Sequence, residues 1–119
     1  MFKRVEYVGF DDKLELRQSV ERVLPLLTEE IGSDWHDSVR VVWRTTAASS
    51  PPTVELSLTL QTPIGSGSGT TSIARNLFQP SEEQELRSRF RRVWIAVLDR
   101  FLEQRKKVWD EYLREPLEV

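Results

Sequence analysis

Apolar residues recur every three or four positions between residues 12 and 31, at Leu16, Val20, Val23, Leu24, Leu27 and Ile31. This is the spacing of a helix with one buried face. Asp11 or Asp12 suits its N-cap and Gly32 its terminator. Pro25 lies inside the run and lacks a backbone donor, so the helix is expected to kink there or restart as a second short piece. The period then changes to two. Val39, Val41 and Trp43 alternate with Arg40, Val42 and Arg44 over 38–46, and Val54, Leu56, Leu58 and Leu60 alternate with Glu55, Ser57, Thr59 and Gln61 over 53–62. Both patterns predict half-buried strands with the arginines, Ser57, Thr59 and Gln61 facing out.

Residues 2–8 mix β-branched, aromatic and charged residues as an edge strand does, before Gly9 interrupts them. Ala47 to Pro52 is too long and proline-rich for a tight hairpin, which predicts a loose loop and candidate contact surface joining antiparallel strands. Residues 63–70, containing Gly65-Ser66-Gly67-Ser68-Gly69, read by composition as a flexible connector, with a short strand possible over Thr70 to Phe78.

Pro80-Ser81-Glu82-Glu83-Gln84 opens a long helix, with Ser81 at the N-cap and Gln84 in the capping-box position. Its main apolar stripe is Leu86, Phe90, Val93, Trp94, Val97, Phe101, Val108 and Tyr112, and Pro116 marks its end. A helix of about 33 residues runs to roughly 50 Å, more than a domain of this size spans, so part of it is expected to project. A second stripe flanks the first, with Ile95, Leu102 and Trp109 seven residues apart and Leu113 nearby. These four residues are candidates for a protein interface, in a homodimer or with another protein, unless the first helix covers them. Trp94 belongs to the core in either arrangement.

These elements predict one α+β domain over 1–119: a two-layer β-α-β-β-(β)-α sandwich with a small antiparallel sheet, two helices on one face and a long C-terminal helix. The 119 residues are 39% hydrophobic and 30% charged, which suits one modest core and excludes a disordered chain. With 17 Lys and Arg against 19 Asp and Glu, the net charge of −2 creates no global attraction to nucleic acid or acidic membranes. The chain has no cysteine, which excludes disulfides, thiolate catalysis and cysteine-ligated zinc and fits a cytoplasmic location. Met1 to Glu6 lack a signal-peptide apolar run, and no stretch approaches the roughly 18 apolar residues of a membrane span.

Candidate chemistry is sparse. The only histidine, His36, sits beside Asp34 and Asp37, where a metal ligand or a base with an orienting acid is conceivable; a polar turn explains these residues more simply, because no matching ligands recur elsewhere. The glycine-serine run lacks the Gly-Lys-Ser/Thr of a phosphate loop and the spacing of a dinucleotide loop. The reading is therefore non-enzymatic, without metal or cofactor. A nucleic-acid surface would draw on Arg40, Arg44, Arg75, Arg87, Arg91, Arg92, Lys106 and Lys107, although acids interleaved along the last helix make a solvated face the simpler account.

Taken in order, the strand from Phe2, the helical Leu14-Glu15-Leu16-Arg17-Gln18-Ser19-Val20-Glu21 and the charged stretch from Val97 to Lys107 give the chain a β-α-β-β-β-α order. That order resembles the ribosome hibernation-promoting factor family, also called the sigma-54-modulation family. The resemblance covers most of the chain, rests on element order and texture, and implies a ribosome- or RNA-associated regulator that binds the small ribosomal subunit through basic helix surfaces and silences translation under stress. A shorter α-β-β-β-α core also looks like a double-stranded RNA-binding domain, although Ser81-Glu82-Glu83 stand where that family opens its last helix with basic residues.

Overall fold

The structure, a computed structural model, describes residues 2–11, 13–45 and 53–114, with the side chains of 112–114 outside the description. The expected loop 47–52 and the helix end at Pro116 lie outside the described residues. The elements follow the order β1 (Arg4–Val8), α1 (Leu14–Glu30), β2 (Val39–Thr45), β3 (Thr53–Thr62), β4 (Gly65–Ala74) and α2 (Glu83–Arg114). Single 3₁₀ turns lie at Ser33–Trp35, Arg75–Phe78 and Pro80–Glu82. This is the expected α+β architecture, a four-stranded sheet with two helices.

The sheet is mixed, which corrects the antiparallel expectation. Its order is β1-β2-β3-β4, with β1 parallel to β2 and the other neighbours antiparallel. A helix separates β1 from β2 in the chain, and such a crossover returns the chain to run in the same direction. Alternation in β2 and β3 works as expected. Val39, Val41, Trp43, Val54, Leu56, Leu58 and Leu60 are buried, while Arg40, Arg44 and Gln61 are exposed.

The expected connector at 63–70 is instead the turn Pro63-Ile64 and the first half of β4, paired with β3 from Thr62 opposite Gly65 to Thr53 opposite Ala74. Gly65, Gly67 and Gly69 face α2, and a Cβ on Gly67 would stand 2.5 Å from the Val97 carbonyl oxygen and 2.8 Å from the Phe101 nitrogen. Without side chains on that face the helix lies directly on the strand. Ser66, Ser68 and Thr70 take the alternate positions and are exposed. The expected short strand over 70–78 is thus the second half of β4, ending at Ala74, and Arg75–Phe78 turn away as 3₁₀ helix.

Helix α2 also covers backbone groups of this edge strand and of the turn before it. The Ser66 N–H donates to the Gln104 side-chain oxygen, Arg100 donates to the Ser68 carbonyl at 2.6 Å, and Arg105 donates to the Ile64 carbonyl at 3.2 Å. Covering strand-edge groups in this way blocks unwanted strand pairing.

Helix α1 runs unbroken through Pro25. Proline removes the hydrogen bond to the carbonyl four residues earlier, at Glu21, and both residues lie on the solvent side, where water can satisfy that oxygen. Neither expected cap operates. Lys13 occupies the N-cap without a side-chain bond, and Gly32, at φ −53°, is not left-handed. The C-terminal carbonyls are held by His36. Helix α2 starts at Glu83, after the turn at Pro80–Glu82, with Glu83 and Glu85 in its first turn.

Candidate interaction surface on the C-terminal helix

The main stripe of α2 is buried at Leu86, Phe90, Val93, Trp94, Val97 and Phe101. Trp35, from the turn after α1, closes over it with its ring centroid 6.2 Å from Trp94 and 6.4 Å from Phe101, in edge-to-face arrangements. Past Phe101 the core ends while the helix continues. Every described side chain from Leu102 to Glu111 is exposed except the half-buried Asp110, and the molecule measures 64 × 28 × 23 Å.

The projecting half carries large apolar residues into solvent. Leu102, Val108 and Trp109 are each 60% exposed, Ile95 49%, and Ile64 on the neighbouring turn 64%. Ile64, Arg105, Val108 and Trp109 line a shallow groove of about 230 Å³. Helix α1 therefore does not cover the second stripe, although it was one candidate to do so. It reaches α2 nearer the start of that helix, through ion pairs from Arg87 to Glu29 (2.8 Å) and from Arg91 to Glu30 (3.2 Å). Val108, expected on the main stripe, has run beyond the sheet that would bury it. The side chains of Tyr112 and Leu113 lie outside the described residues.

The candidate nucleic-acid residues do not converge. Arg40 and Arg44 lie on the open face of the sheet, opposite the helix layer that carries Arg87, Arg91 and Arg92. Arg40 makes a forked pair with Glu6 at 2.7 Å, which lowers the pKa of the Glu6 carboxyl and raises that of the guanidinium. Glu29, with help from Glu83, raises the pKa of Arg87 in the same way. Arg75 sits in the 3₁₀ turn after β4. Lys106 and Lys107 share a groove on the projecting helix with Glu103, Asp110 and Glu111.

His36 is a buried structural residue. Its Nε2 lies 2.7 Å from the Ile31 carbonyl oxygen and 3.0 Å from that of Thr28, so it donates to the last turn of α1, and its ring packs 4.7 Å from Phe2. Among the described residues no group of three His, Cys, Asp or Glu is placed to hold a metal ion. A hollow of about 490 Å³ is lined by Ser19, Arg22, Ala74, Arg75, Asn76, Phe78 and Gln79. Its one hydroxyl, on Ser19, donates to the Glu15 carbonyl, and Arg22 donates to that of Phe78. No base stands beside the hydroxyl in that lining, so the hollow lacks the pairing that activates a nucleophile. No helix among the described residues is long and apolar enough to cross a membrane.

Comparison of the chain with protein-family profiles, with characterised proteins and with solved structures finds no match.

Proposed function

We propose that this protein is a non-catalytic binding module that docks another protein surface through the projecting half of α2. The observation that carries this reading is the set of large apolar residues held in solvent beyond Phe101, on a helix whose first half is locked to its sheet. Exposed apolar residues grouped on one rigid element, rather than scattered singly, mark interaction sites. Leu102 and Trp109 are the expected anchors, and the fixed first half of the helix presents them with little further ordering on binding.

A ribosome- or RNA-associated regulator, which the family resemblance implies, needs clustered free cations. Arg40, Arg87 and Arg91 are already paired with glutamates, while Arg100 and Arg105 donate to backbone carbonyls, so the geometry favours the apolar surface. Chromatography with light scattering at low and high salt, with and without RNA, separates the two readings. Salt-tolerant association abolished by Leu102→Asp is the expected result. Salt-sensitive co-migration with RNA that survives Leu102→Asp overturns the docking reading in favour of phosphate contacts.

A further inference from the structure

The docking reading leaves the partner open, and the charges around Leu102 bear on its identity. At 100° per residue, Ile95, Leu102 and Trp109 fall within about 40° of one another on α2, at intervals of about 10 Å. One flank of this stripe carries Asp99, three residues before Leu102, and Lys106, four residues after it. Both are exposed, and neither forms an ion pair among the described residues.

Two helices related by an antiparallel two-fold axis set each flank against the same flank of the other copy. With the axis at Leu102, Ile95 meets Trp109 of the second copy and Leu102 meets its own counterpart. Asp99 then meets Lys106 of the second copy, and Lys106 meets its Asp99. A parallel pair, with its two-fold axis along the helices, would set this flank against the opposite flank of the other copy, so Asp99 and Lys106 would not meet.

The antiparallel arrangement also places the two sheets at opposite ends. Each projecting tail lies along the other copy's helix, where its own core gives it no cover. Because acid and base stand at nearly equal distances on either side of Leu102, one surface is complementary to itself. A foreign partner would need to match that pattern by its own sequence.

We infer that the occupant of the stripe is a second copy of this chain, paired antiparallel about a two-fold axis at Leu102. This inference rests on the docking reading above. Sedimentation equilibrium of the full chain tests it, with far-UV circular dichroism to confirm that each variant folds, as substitutions at these exposed positions should allow.

The wild type is expected to be a dimer and Leu102→Asp a monomer. Asp99→Lys and Lys106→Glu each place two like-charged pairs across the axis and should weaken association about tenfold. Mixing the two variants in equal amounts sets the introduced lysine of one against the introduced glutamate of the other, and the retained Lys106 against the retained Asp99. A heterodimer tighter than either homodimer should then form.

A wild type that stays monomeric, or charge reversals without effect alone or mixed, overturns the inference. A photo-reactive residue at position 102, introduced into the chain in its native cell, then separates this failure from that of the docking reading. Adducts with a different protein retain docking and reject the second copy; no adduct at all rejects both.

Discussion

Replacing Gly67 with alanine tests how closely α2 lies on β4. The added Cβ would stand 2.5 Å from the Val97 carbonyl oxygen, 2.8 Å from the Phe101 nitrogen and 3.1 Å from the Phe101 Cα. All three are backbone atoms in the middle of a helix, so no side-chain rotation relieves the contact. Non-bonded carbons pack best at about 3.5–4.0 Å, and α2 must therefore lift by about 1 Å, loosening Val93, Val97 and Phe101 from the sheet. Overpacking of this kind costs about 1–3 kcal/mol.

The lost flexibility of the unfolded chain offsets about 0.4–1 kcal/mol of that cost, leaving a net loss on the order of 1–2 kcal/mol. Gly65→Ala is the control. Its nearest neighbours are the Gln104 side-chain oxygen at 3.0 Å and the edge of the Phe101 ring at 3.2 Å, side-chain atoms that need to shift only slightly. Urea unfolding followed by tryptophan fluorescence should therefore rank wild type and Gly65→Ala above Gly67→Ala, with similar m-values. If Gly67→Ala is as stable as wild type or more so, the segment behaves as the flexible connector its composition suggests, and the packing argument fails.

His36→Ala leaves the Ile31 and Thr28 carbonyls at the end of α1 without their imidazole donor and should cost about 1–3 kcal/mol in the same assay; an unchanged midpoint would deny His36 its capping role. Trp43 is fully buried, and its indole N–H has no acceptor among the described residues. Trp43→Phe removes that unsatisfied donor and should therefore change stability by less than about 1 kcal/mol, against about 3–5 kcal/mol for Trp43→Ala. Equal losses in the two Trp43 variants would mean that the N–H is satisfied after all.

Much of the fold is legible in local pattern. Strict alternation over Val39 to Trp43 and Val54 to Leu60 defines which face of the sheet is buried, because successive side chains on a strand point to opposite sides. Helical spacing identifies the buried face of α2 through Phe101, and helix length alone implies a projecting end. The second stripe is visible as well, since Ile95, Leu102 and Trp109 recur at seven-residue intervals.

The first half of β4 is hidden from local pattern. Gly65-Ser66-Gly67-Ser68-Gly69 does alternate with period two, but glycine and serine carry no apolar signal, so the composition resembles a linker. Glycine at the alternate positions becomes meaningful only when a helix backbone lies against them, a contact between residues some thirty positions apart. Similarly, the sequence shows which residues are arginines, whereas the tertiary structure decides that Glu6 engages Arg40 and that Glu29 and Glu30 engage Arg87 and Arg91. The parallel pairing of β1 with β2, and the exposure of Leu102 and Trp109, also depend on where distant elements come to rest. Periodicity along the chain determines which faces turn inward; which face meets which, and which is left in water, is settled only by how the whole chain packs.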